Sequence, residues 1–292
     1  MGKRIGVVML VAVIALLANS LVGADKTIKE ATVQVGDIKT HYIEGGSGDR
    51  TLVFIPDLAM PAEVWKEQIP YFAARGFHVI AFDPRSQGLT SKTDAGNTYH
   101  QQAADLHAFL EKLKLEHCSL IGWSAAVVTL LEYISSPESL KPDRLVFVGG
   151  APISPSDKDY PSGFTIQQAR DLMLAMEDDR AKATEALVHG LFKSQQNGTV
   201  YKEIGDASLK TPTGTAIALL FDLITGDRKS ALMMIDVPTL IVVSQDKRLL
   251  GEYLQSKITG ARLKIIPDSG PAIFLEKPQA FNQALEEFLG IQ

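Results

Sequence analysis

Six short, almost unbroken apolar runs recur along this 292-residue chain: Thr51 to Ile55, Val79 to Phe82, Ser119 to Ile121, Leu145 to Val148, Leu240 to Val243 and Leu263 to Ile266. They lack the in-out alternation of a half-exposed strand. Such runs fit parallel strands that are covered on both faces. Helical stretches separate them. One opens at Thr98 with Gln101 three residues on, a capping-box pairing, and carries Leu106, Phe109, Leu110 and Leu113 on one stripe. Another closes the chain with Phe281, Leu285, Phe288 and Leu289. Strand alternating with helix requires right-handed crossovers. The prediction is therefore an α/β fold with a doubly wound, mostly parallel sheet, whose ligand site lies at the carboxyl ends of the strands. Upstream, Ala31 to Val35 and Ile38 to Ile43 flank Gly36-Asp37 and predict a hairpin.

The alternation breaks over residues 153–230. That segment is helical in character at Thr165 to Met176, Arg180 to Phe192 and Thr215 to Leu223, and polar between. It is read as a helical lid inserted between two sheet strands, with long crossover helices as the alternative. Lys3 and Arg4 precede the apolar stretch Ile5 to Leu17, and Val22-Gly23-Ala24 supplies small residues for cleavage. Residues 1–24 are thus expected to be a signal peptide, residues 25–292 one domain, and the protein secreted or periplasmic. An uncleaved N-terminal anchor is the other reading.

The formal charge is -5, and removal of Lys3 and Arg4 makes the remainder more acidic still. With no block of basic residues, nucleic acid and, after signal removal, membrane are not expected as partners. Cys118 is the only cysteine, so no internal disulfide is possible. Asn197-Gly198-Thr199 has the form of a glycosylation acceptor. The histidines and carboxylates do not fall at metal-ligand spacings, and no glycine-rich phosphate loop is present, so neither metal nor cofactor is expected. Oligomeric state is not legible.

The chemistry concentrates at Gly122-Trp123-Ser124-Ala125-Ala126, between the apolar run ending at Ile121 and the helix-like Ala126 to Ile134. Strand, tight turn and helix in that order lift a serine hydroxyl above a sheet as a nucleophile. Four further blocks accompany it: Phe54-Ile55-Pro56-Asp57, Ala81 to Gly88, Val237-Pro238-Thr239-Leu240, and Gly270 to Pro278. In these five blocks, in this order, the chain resembles the α/β-hydrolase fold superfamily over residues 26–292. The resemblance implies a serine hydrolase in which Ser124 attacks a carbonyl and the N–H groups of Leu58 and Ala125 form the oxyanion hole. It places the orienting acid after the run Leu240 to Val243, where Lys247 stands at the usual position and Asp246 one residue before it. Asp246 is the candidate acid, with a solvated turn residue as the alternative.

Two further departures bear on activity. The expected D-x-G-H-x reads Asp268-Ser269-Gly270-Pro271-Ala272, so a residue with no titratable group stands at the histidine position; His189 is the remaining candidate for reaching Ser124. The loop after the first parallel run has Pro56-Asp57 where the family usually has His-Gly; Asp57 can point inward against a developing oxyanion, or outward as a turn aspartate. Two functions follow. One is an exported hydrolase acting on small carboxylic esters or related acyl compounds through an acyl-enzyme on Ser124. The other is a catalytically impaired relative that binds a small apolar ligand or a protein partner.

Overall fold

Each apolar run lies within a strand in the computed structural model, which describes residues 28–150, 153–161 and 163–291. The expected signal segment lies outside the described residues. Among these residues eight strands form one sheet: β1 (Lys29–Val35), β2 (Ile38–Gly45), β3 (Arg50–Ile55), β4 (Phe77–Phe82), β5 (Cys118–Trp123), β6 (Arg144–Val148), β7 (Thr239–Ser244) and β8 (Arg262–Ile266). Their order is β1-β2-β4-β3-β5-β6-β7-β8. β1 and β2 form the predicted hairpin, with Gly36 at φ +52 in the turn, and β2 runs antiparallel to β4. All other pairs are parallel. The sheet is therefore doubly wound and mostly parallel, as the periodicity predicts.

Two cores explain why the strands read as continuous apolar runs. Leu52, Phe54, Val79, Ala81, Leu240 and Val242 face one cluster. Their neighbours Val53, Ile55, Ile80, Phe82, Ile241 and Val243 face the other. Successive side chains alternate sides, and both sides are buried. The helices covering the sheet are α1 (Gln68–Ala73), α2 (Tyr99–Lys112) and α3 (Ala126–Ser135) in the first half. The stretch between β6 and β7 contributes α4 (Ile166–Asp178), α5 (Arg180–His189), α6 (Gly198–Leu209) and α7 (Thr213–Thr225), and α8 (Arg248–Lys257), α9 (Ile273–Glu276) and α10 (Pro278–Leu289) complete the chain. Beneath β5 an aromatic group joins the halves: Trp65 stacks on Phe274 with centroids 3.7 Å apart, and Trp123 meets Phe274 edge-on at 5.0 Å.

Local signals hold in part. The Thr98 side chain caps α2 by accepting from the Gln101 N–H at 3.2 Å, but the reciprocal leg of the capping box is not made: the Thr98 N–H donates to Gly96 O at 2.9 Å, and the Gln101 side-chain amide donates to Asp105 Oδ1 at 3.0 Å. The stretch read as polar between helices holds α6. Asn197, the acceptor-like asparagine, is its N-cap, with Oδ1 accepting from the Thr199 N–H at 3.0 Å. Gly198 and Gly205 weaken the helical pattern in the sequence, whereas Val200 and Ile204 pack the helix onto the core below. Polar ties around α7 help fix the α4–α7 segment to the body. Asp222 on α7 accepts from the Tyr99 N–H at 2.7 Å and from Arg228 at 2.6 Å, and Arg228 also donates to Glu132 on α3 at 2.9 Å.

Candidate active site

Ser124 occupies the turn between β5 and α3 with φ +51, the left-handed region that a non-glycine residue adopts only under constraint. The constraint is visible. Its N–H donates to Val148 O at 2.8 Å, its carbonyl accepts from the Val127 N–H at 2.9 Å, and a Cβ on Gly122 would lie 2.9 Å from Leu130 Cδ1 and 3.1 Å from the Ala126 carbonyl carbon. Only glycine at 122 lets α3 pack this tightly on β5 and hold the elbow.

The loop after β3 faces the elbow across the sheet's carboxyl end. Met60 N–H closes a turn onto Asp57 O at 3.0 Å, Ala59 sits at φ +60 with its N–H donating to Gln87 Oε1, and Ala62 N–H donates to Asp83 Oδ1 at 2.6 Å. Pinned in this way, the loop turns the Asp57 side chain inward. Asp57 Oδ1 accepts from its neighbour's N–H, Leu58, at 2.7 Å and from the Ala125 N–H at 2.9 Å. The Ser124 hydroxyl adds to the pull that these two donors exert on the carboxyl's pKa. The turn aspartate and the inward carboxylate are one and the same residue.

The N–H groups of Leu58 and Ala125 thus converge on one oxygen, and that oxygen belongs to the chain. Burial pushes the Asp57 carboxyl up to about 6, overriding the downward pull of Ala125, Leu58 and Ser124. The position at the amino end of α3 favours the anion, yet loss of water outweighs it. Among the described residues no lysine or arginine forms an ion pair with Asp57. The buried guanidinium groups of Arg85 and Arg228 are committed to other carboxylates: Arg85 to Asp37 and Asp105, Arg228 to Asp222 and Glu132.

No imidazole is bonded to Ser124 among the described residues. His41 pairs with Asp83 at 2.8 Å, His78 with Glu44 at 2.8 Å, His100 with Glu132 at 3.6 Å, His107 with Glu111 at 3.5 Å and His117 with Asp143 at 3.6 Å. His41 lies on β2, three strands from β5, roughly 14 Å away at the usual strand spacing. His189 packs against Tyr201, the rings tilted by 32° with centroids 3.9 Å apart, and lines a cleft of about 510 Å³ with Gln196 and Lys202; Ser124 and Asp57 are not among that cleft's walls.

Pro271, half-buried on the loop after β8, accepts the Trp123 indole N–H on its carbonyl at 3.1 Å. The same loop is held by Glu276, which accepts from the N–H groups of Gly270 at 2.6 Å, Ser194 at 2.7 Å and Lys193 at 3.0 Å. Burial raises the Glu276 pKa, but these three donors outweigh it and hold it below the usual range. Asp246 lies on an exposed turn between β7 and α8 and is hydrogen-bonded to none of the histidines.

Comparison with known proteins decides the affiliation. Residues 52–284 match the model of the alpha/beta hydrolase family. The chain belongs to that family. Within it, a putative non-heme chloroperoxidase from Synechocystis sp. is 27% identical over 265 residues, covering 86% of this chain and 95% of the relative. A karrikin insensitive 2 receptor B from Petunia hybrida is 23% identical over 239 residues, 78% and 86% of the two chains. In structure, an esterase from Exiguobacterium antarcticum superposes with a TM-score of 0.85 at 22% identity, over 90% of this chain and 100% of that one. This alpha/beta hydrolase therefore carries the family's sheet and elbow, with a carboxylate seated between the two N–H groups beside the serine.

Proposed function

We propose that this chain is a ligand-binding alpha/beta hydrolase that does not pass through an acyl-enzyme on Ser124. One observation carries the reading: Asp57 Oδ1 accepts from both Leu58 and Ala125, the donors an acyl oxyanion would need. In a serine hydrolase of another fold, loss of the base lowers turnover by about 10⁶-fold, leaving about 10³ to 10⁴-fold over water from the oxyanion hole and binding. Here Pro271 stands where the resemblance expects the base, and the hole is filled by an anion. Both contributions are removed together. A carbonyl oxygen that gained negative charge would meet a carboxylate in place of N–H donors.

The retained strain at Ser124 fits a site kept in shape for binding, and one relative is named as a receptor. The names of other relatives, an esterase among them, supply the prior for the competing hydrolase reading. We read α4–α7 as the lid over this site, and the protein as exported through residues 1–24. Hydrolysis of p-nitrophenyl acetate by the protein beside Ser124→Ala tests the central reading, together with fluorophosphonate labelling of Ser124. Equal background rates and no label are expected. Turnover that disappears in Ser124→Ala overturns it.

A further inference from the structure

Resting on the binding reading above, we infer that the site at Asp57 and Ser124 takes a ligand bearing a protonated primary amine, seated on the Asp57 carboxylate. A family site with open N–H groups presents donors and suits an acyl carbonyl or a carboxylate. In this chain the two donors are consumed internally by Asp57 Oδ1. What remains for a ligand is the second carboxylate oxygen, to which no backbone group donates among the described residues, and the Ser124 oxygen. The polarity of the site is inverted.

The charge balance points the same way. Asp57, Leu58 and Ser124 are all partly exposed, so the site is open at its rim. Its hydrogen-bond partners are neutral, and among the described residues it has no cationic one. A carboxylate withdrawn from water without a counter-charge is costly, and a cation that hydrogen-bonds to it offsets that cost. Two buried arginines and a lysine of the fold are already engaged elsewhere. Arg85 and Arg228 are each paired with two carboxylates, and Lys92 Nζ donates to Gly88 O at 2.6 Å.

A second, independent feature is the Tyr99 hydroxyl. Tyr99 is 1% exposed, its oxygen has no hydrogen-bond partner among the described residues, and burial, with the Asp57 charge as a lesser cause, raises its pKa. An ammonium group has three donors to place, and the second carboxylate oxygen and the Ser124 oxygen offer it acceptors. A carboxylate ligand would instead face Asp57 with like charge. A neutral alcohol could use the oxygens but not the charge.

The test compares benzylamine, benzyl alcohol and benzoate by titration calorimetry at pH 7.5 on the wild-type protein and on Asp57→Asn, which keeps the shape and removes the charge. The expected order on the wild type is benzylamine first and benzoate undetectable, with benzylamine binding weakened about 10- to 100-fold in Asp57→Asn. Absence of saturable benzylamine binding, benzoate binding as well as benzylamine, or equal benzylamine affinity in a folded Asp57→Asn overturns the inference. The wild-type order requires no variant, so a poorly folded Asp57→Asn leaves the test intact. Ser124-dependent ester turnover would end the binding reading itself, whereas no turnover together with no amine binding ends only the amine assignment.

Discussion

Trp123 donates its indole N–H to the carbonyl of Pro271 across 3.1 Å, joining the residue before Ser124 to the loop where the resemblance expects a base. The backbone on both sides of that position is held, since Ala272 N–H donates to Leu191 O at 3.0 Å. A side chain placed at 271 would therefore start from a fixed point beside the elbow.

Pro271→His alone is expected to leave p-nitrophenyl acetate hydrolysis at background, because Asp57 still fills the hole. Asp57→Gly together with Pro271→His is expected to give turnover that Ser124→Ala abolishes. Each restored oxyanion donor is worth about 10² to 10³ in rate. Full activity from the single histidine substitution would show that Asp57 leaves the hole in solution.

Asp57→Asn should raise stability at pH 8. The folded carboxyl is pushed up to about 6 against a reference of 3.8, so the native state holds its proton longer than the unfolded chain. Stability from this group is complete below about pH 4 and declines as pH rises through about 6. The amide removes that decline. The gain at pH 8 is about 1–3 kcal/mol, discounted because the residue is partly exposed, or about 2–4 °C in Tm for each kcal/mol. Differential scanning fluorimetry at pH 4 and pH 8 reads it. An equal effect at both values would remove the electrostatic cause.

His41 is buried against Asp83, and that hydrogen bond raises its pKa above the ordinary 6.5 despite the opposing effect of burial. Its stabilising contribution is then complete below 6.5 and lost as pH rises through the raised value. Replacement by Gln is expected to flatten the fall in stability above pH 6.5, and the wild-type imidazole should titrate late in NMR spectra. Titration at or below 6.5 would contradict this assignment.

Two glycines should respond with opposite sign. Gly122→Ala forces its new carbon against Leu130 and the Ala126 backbone, and is expected to cost about 1–3 kcal/mol and to disturb the Ser124 turn. Gly205→Ala in α6 meets nothing within 4 Å and is expected to stabilise by about 0.5–1 kcal/mol. Urea midpoints for the pair settle both. A neutral Gly122→Ala would mean that α3 can slide on β5.

Most of the sheet was legible because burial on both faces writes itself as unbroken apolar sequence, as in Leu52 to Ile55. The elbow was legible for the same reason, since glycine at 122 and small residues at 125 and 126 are what close strand-to-helix packing requires. α6 was hidden by Gly198 and Gly205, whose low propensity masks a stripe that tertiary packing rescues. The direction of Asp57 could not be read at all. It depends on the Asp57–Met60 turn, the positive φ of Ala59 and the bond to Gln87, residues that meet only in three dimensions. Asp246, the candidate acid that the resemblance implies, is exposed.

Cys118 opens β5, the strand that ends at the elbow, and burial pushes its thiol up to about 12. A group held so far from its thiolate is inert to alkylation while the strand stays paired. As the chain's sole sulfhydryl, it is a native clock: the rate at which a thiol reagent consumes it reports how often the central sheet opens, and how much a bound ligand slows that opening.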